Sequence, residues 1–162
     1  MSRKVLVTAV ILMAVALLTT IGMARATPPT QISGKVWILG ATVYEVRQAG
    51  ESDNRLINLS LRGKFTGDIM GNYTSESRWV VHDVGTPDAW TNFRGVSTTS
   101  PATVMGKTGT LLWLLKGVSE KGGTWVIIGG TGDLANLHGQ GTYSPTANPN
   151  VVNYEGQVHF DP

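Results

Sequence analysis

The chain has 162 residues, of which 41% are hydrophobic and 15% charged, with 20 Gly, 5 Trp and no Cys. Length allows one domain, and the bulky apolar content is too high for a disordered chain. The absence of Cys excludes disulfides, thiolate metal sites and a cysteine nucleophile.

The first 26 residues read as a secretory signal. Arg3 and Lys4 form a positive n-region, Val5 to Leu18 is an apolar run broken only by Thr8, and Ala24-Arg25-Ala26 gives the small-x-small pattern of a cleavage site. An uncleaved anchor is the competing reading, since Val5 to Ala24 is long enough to span a bilayer. The threonines and the Ala-x-Ala ending favour cleavage, so the expected organisation is a signal peptide over 1–26 and one domain over 27–162. The mature protein would be secreted or periplasmic, with no membrane span. Taking Arg3, Lys4 and Arg25 from 13 basic residues leaves 10 against 11 acidic ones, a net charge of −1. Such a surface has no basic stripe for phosphate backbones, and nucleic acid is not an expected partner.

The rest of the chain reads as strands. Runs at Gln31–Leu39 and Thr42–Gln48 come first. From Leu56 to Ile69 the alternation is strict: Ile57, Leu59, Leu61, Phe65 and Ile69 share one face, with Gly63 and Gly67 on it, while Asn58, Ser60, Arg62, Lys64, Thr66 and Asp68 share the other. A period of two over that length suits a strongly curved or barrel strand. Further strands are expected near Tyr73–His82, Trp90–Thr98, Lys107–Lys116, Thr124–Ile128, Gly139–Tyr143 and Val151–Phe160. Gly50 to Asn54 and Gly85 to Asp88 are loops by composition, and Gly117 to Gly123 holds a hairpin tip. Short antiparallel strands at this spacing specify an all-β sandwich or up-and-down barrel.

Two motif spellings carry little. Gly130-Thr131-Gly132-Asp133-Leu134-Ala135 matches a dinucleotide fingerprint, but no helix or βαβ unit follows, and a tight turn explains it better. Gly123-Thr124-Trp125 has the lipocalin spelling two thirds along the chain instead of on the first strand.

The glycine-bearing segments resemble another group. Phe65-Thr66-Gly67-Asp68-Ile69 with Gly71, then Gly106-Lys107-Thr108-Gly109-Thr110, then Gly123-Thr124-Trp125 lead into the block from Gly130 to Tyr143. In that order they look like the bacterial domain-of-unknown-function branch of the allene oxide cyclase-like barrel superfamily. The resemblance covers Gly63 to Phe160 and implies a small closed antiparallel barrel of about eight strands. Plant members cyclise a fatty-acid epoxide inside the barrel, whereas the bacterial branch has no activity to carry over. A family glutamate maps to Glu76, and a second acidic residue finds no match among Arg94 to Thr99.

On the strand Tyr73–His82, Thr74, Glu76, Arg78, Val80 and His82 share one face and Tyr73, Ser75, Ser77, Trp79 and Val81 the other. The charged face meets either solvent or a polar lumen. In the lumen, Glu76 would serve as acid, base or hydrogen-bond acceptor, with Arg78 as its neighbour. Trp79 and Trp113 are candidates to border a cavity, and Glu76, Arg78, Trp79 and Trp113 together form the candidate ligand-binding set. His82, His138 and His159 lack metal-type spacing beyond the pair of His159 with Asp161, so neither a metal nor a cofactor is expected. Asn58 and Asn72 stand in glycosylation sequons. In Leu111-Leu112-Trp113-Leu114-Leu115 both faces are apolar, and a barrel buries only one, so Leu112 and Leu114 point to a homo-oligomer. The expected function is binding of a small apolar molecule in the barrel. A cyclase or isomerase acting in the same cavity, or a filled barrel with a purely structural role, are the alternatives.

Overall fold

The computed structural model describes residues 27–50 and 53–162; the expected signal peptide lies outside them. Eight antiparallel strands, each hydrogen-bonded to the next, close into a barrel when the last pairs with the first. They are β1 (Thr30–Gln48), β2 (Arg55–Gly67), β3 (Ile69–His82), β4 (Trp90–Val104), β5 (Lys107–Val118), β6 (Gly122–Gly132), β7 (Leu137–Pro145) and β8 (Val151–Phe160). The described residues contain no helix. The strand pattern left a sandwich or a barrel open; the barrel is observed, with the eight strands that the resemblance implies.

Several strands run longer than the sequence reading, β4 to Val104 and β6 to Gly132 among them, and two differences change the organisation. The runs before and after Leu39–Ala41 form one strand, because a bulge between Ile38 and Gly40 lets β1 bend without breaking. Ile69 opens β3 instead of ending β2, since Asp68 alone makes the turn and its carboxylate accepts the Ser33 N–H at 2.7 Å. Gly67 enters that turn at a φ of 108°, where a side chain would also strike the Gly34 backbone.

The two ends of the barrel differ. Turns at Asp68, 105–106 and 133–136 lie at one end, and there Ile69, Val104, Leu111, Leu134 and Val158 are fully buried and plug it. The other end carries the loops 83–89, 119–121 and 146–150, and there β1 ends and β2 begins. There β1 parts from β8 after the Trp37–Val151 pair and continues along β2 alone, with Ala41–Gln48 exposed.

Glycine is spent on the inner wall to seat aromatic rings. A side chain on Gly34 would strike Tyr154, one on Gly63 would strike Tyr73, and one on Gly117 or Gly123 would strike Tyr143. Gly141 and Gly156 are partners on β7 and β8, and the Trp125 ring lies over both. The volume missing at Gly63 is therefore filled by Tyr73. These glycines let large rings lie flat against the wall.

Candidate functional site

Above the plug, five rings form a floor. Phe65 stacks on Trp113 with centroids 5.1 Å apart and planes 9° off parallel, and meets Tyr73 and Tyr154 edge-on at 5.4 and 5.8 Å. Trp125 meets Trp113 edge-on at 5.4 Å. The polar ends of these rings are mostly tied to the wall. Trp113 Nε1 donates to Thr99 Oγ1 at 3.0 Å, Trp125 Nε1 to the Thr142 carbonyl at 3.0 Å, and the Ile69 N–H to Tyr154 Oη at 2.8 Å.

Between this floor and the loop-bearing end lies a cavity of about 510 Å³. Its rim comes from the β5–β6 hairpin, with Ser119 and Glu120, and from the β7–β8 loop, with Thr146 and Pro149. Higher on the wall, Trp79 packs against Phe93 at 5.7 Å and Phe93 against Tyr143 at 5.8 Å. The Trp79 Nε1 and Tyr143 Oη atoms are buried without a hydrogen-bond partner. Ser75, Ser77 and Ser97 form a small polar patch where β3 and β4 face the lumen; they are 4%, 6% and 2% exposed. Ser75 and Ser77 share a hydrogen bond, Oγ to Oγ, of 3.2 Å.

Trp79 and Trp113 both line this cavity, but Glu76 and Arg78 do not. The parity of β3 turns Tyr73, Ser75, Ser77 and Trp79 inward, which puts Glu76 and Arg78 on the exposed outer wall. Of the two surroundings open to that charged face, solvent or a polar lumen, it meets solvent, so Glu76 and Arg78 drop out of the candidate ligand-binding set. Outside, Glu76 Oε2 accepts from the Tyr44 hydroxyl at 3.0 Å, a bond that raises the Tyr44 pKa. Arg78 Nε donates to Asn58 Oδ1 at 3.3 Å, and the Asn58 amide donates in turn to Glu45. Five polar side chains from β1 to β3, in a pair and a trio, thus satisfy one another where sequence alone offered an acid and its partner. Asn58 is nearly buried by these contacts and Asn72 is exposed. The sequence reading passed over the serines, because serine does not register as an inward residue. The only available signal was that Tyr73 and Trp79 flank them on the same face.

The histidines sit elsewhere. His82 stacks on Trp90 at 3.9 Å, and Asp161 bridges His138 and His159 at 3.2 and 3.3 Å. No cluster able to hold a metal occurs among the described residues. The fingerprint-like Gly130–Ala135 segment is the end of β6 running into the β6–β7 turn, with Gly132 at a φ of 62°.

Burial pushes the Tyr73 and Tyr154 hydroxyls up to about 12, and raises Tyr143 as well. The ordinary phenol value is about 10. Because the folded values lie above the unfolded one, this stabilisation is complete below about pH 10 and is lost as pH rises from there through about 12. Phenolate absorbance on alkaline titration should therefore rise together with loss of the β circular-dichroism signal. Ionisation of all four tyrosines near pH 10 with the fold intact would contradict this placement.

No family model and no curated protein matches the chain. Among solved structures, a protein of unknown function from the DUF3224 family of Shewanella oneidensis has a TM-score of 0.67 at 16% identity, over 83% of this chain and 99% of that one. Pyocyanin demethylase gives 0.47 at 18% identity, over 80% and 99% of the two chains. A nonspecific heme-binding cyclase, which catalyses a [4 + 2] cycloaddition during neoabyssomicin biosynthesis, gives 0.41 at 12%, over 90% and 72%. What this chain shares with the DUF3224 protein is the barrel fold.

Proposed function

We propose that this protein is exported and binds a small, largely apolar molecule in the lumen of its barrel. The cavity of about 510 Å³, aromatic-walled and open to a rim of loops, is the observation that carries this reading. Its volume falls within the range of small-molecule pockets, about 300–1,000 Å³, and a few hydroxyls on an apolar wall are the usual way such pockets orient a ligand. Binding is favoured over acid–base catalysis because the lumen presents hydroxyls and indoles, and among the described residues Glu120 at the rim is the one carboxylate on its wall. Export rests on the n-region, the apolar run and Ala24-Arg25-Ala26, and cleavage there would leave Thr27 at the N-terminus. Thr27 already closes the plugged end: its N–H donates to the Phe160 carbonyl at 2.9 Å, and its hydroxyl accepts from Phe160 N–H at 2.7 Å. Native mass spectrometry of protein purified from the exported fraction, followed by tryptophan-fluorescence titration with a broad apolar panel, tests both parts. An intact Met1 in the membrane fraction would replace export with anchoring. No adduct and no saturable binding would leave a structural role.

We further propose self-association through the outer wall. Leu112 and Leu114 are 37% and 39% exposed, and Val96, Leu114 and Val126 stand side by side across β4, β5 and β6. An apolar row of this kind on a barrel exterior marks a contact surface. Sedimentation at tens of micromolar should show an oligomer, and Leu112→Lys should split it with the β spectrum unchanged. A monomeric wild-type protein would remove the proposal.

A further inference from the structure

Assuming that the cavity binds a small molecule, we infer that its ligand is an uncharged aromatic compound that docks a hydroxyl or carbonyl oxygen on the serine patch of β3 and β4.

Three observations carry this. First, among the described residues the cavity wall holds no Lys, Arg or His, and its one carboxylate, Glu120, sits on the rim. An anion taken inside would have no counter-charge, and one left at the mouth would face Glu120. Carboxylates and sulfonates are therefore disfavoured at both ends. Second, inside the rim the polar groups are neutral hydroxyls and indoles, and the hydroxyls serve a neutral oxygen well because each can donate and accept. Ser75 and Ser77 bond to each other, and Ser97, opposite Ser75 on β4, makes no hydrogen bond through its hydroxyl to the described residues. Gly95 lies opposite Ser77 on β4, and any side chain there would cover the Ser75 and Ser77 hydroxyls. The wall is thus kept bare around the patch. Third, Trp79, Phe93, Trp113 and Trp125 supply ring faces and edges around the space above the floor, which favours a flat, polarisable ligand.

The test uses two dyes that differ by one charge, N-phenylnaphthylamine and its sulfonated analogue anilinonaphthalenesulfonate. The neutral dye should bind saturably and at least about tenfold tighter, a difference of about 1.4 kcal/mol. Glu120→Gln should narrow that gap by strengthening the sulfonate. In displacement of the neutral dye, naphthol should outcompete methylnaphthalene, a molecule of nearly the same shape, by about fivefold or more. Ser97→Ala, and separately the triple change Ser75→Ala, Ser77→Ala, Ser97→Ala, should shrink that preference towards unity while the neutral dye still binds. Equal or tighter binding of the sulfonate, or equal competition by naphthol and methylnaphthalene, would overturn this inference and leave the cavity reading standing. Failure of both dyes and both naphthalenes to bind would instead overturn the cavity reading itself.

Discussion

Gly141→Val should cost about 3 kcal/mol or more, while Gly129→Ala should change stability by no more than about 0.5 kcal/mol. Both residues are strand glycines on neighbouring elements, β6 and β7, so composition alone would not separate them. At Gly141 a Cβ would meet the Trp125 ring at 2.5 Å and strike the Glu155 carbonyl of β8. Neither can give way easily. The ring is 3% exposed, its Nε1 is tied to the Thr142 carbonyl, and Gly156 holds its place beneath the same indole. A valine must therefore push the ring into the floor of the cavity or part β7 from β8. At Gly129 the nearest atom to a new Cβ is the Leu112 Cδ1 methyl at 3.6 Å, an ordinary contact on the outer wall. Urea denaturation of the two variants decides the matter. A Gly141→Val protein within about 1 kcal/mol of wild type would mean that the Trp125 ring is not seated on the glycine pair.

The same seating explains how far the sequence could be read. β2 was legible because its inward set, Ile57, Leu59, Leu61 and Phe65, contrasts with the polar set between them, so periodicity alone gave the facing. β3 was not. Its inward face carries Ser75 and Ser77 and its outward face Glu76 and Arg78, which removes the hydrophobic contrast that would have told one from the other. Charge drew the reading to Glu76, but the outward charges are absorbed by Tyr44, Glu45 and Asn58, residues of strands whose register no local pattern reveals. Of the candidate set, Trp79 and Trp113 were identifiable as cavity neighbours because tryptophan brings area that must be buried somewhere. The glycines were read as possible missing volume. Their use depends on which aromatic crosses over from a neighbouring strand, such as Tyr73 on Gly63, and that is fixed only when the barrel closes.

Trp113 joins the fold to the site, and Trp113→Ala should show both. The indole is 2% exposed, stacked on Phe65 and met edge-on by Trp125, so its loss removes the centre of the aromatic floor. Large-to-small changes at buried aromatics cost about 3–5 kcal/mol. Here the Thr99 hydroxyl, fully buried, would also lose its N–H donor, which adds about 1 kcal/mol or more. The void would be continuous with the cavity, and water entering it would hold the total to the lower part of that range. Trp113→Phe separates the two contributions: it keeps a ring against Phe65 and drops only the N–H and some volume, so about 1–2 kcal/mol is expected. Trp37→Ala is the control. That indole lies on the outer wall, half-buried, with Lys64 Nζ 5.8 Å from its ring, and should cost about 1 kcal/mol. Thermal and urea unfolding of the three variants orders them as Trp113→Ala, then Trp113→Phe, then Trp37→Ala. Binding supplies an independent reading, because only the Trp113 changes border the lumen: Trp113→Ala should admit bulkier aromatic probes than wild type, and Trp37→Ala should leave the probe profile alone. A Trp113→Ala loss no larger than that of Trp37→Ala would mean that the floor is not packed around this ring.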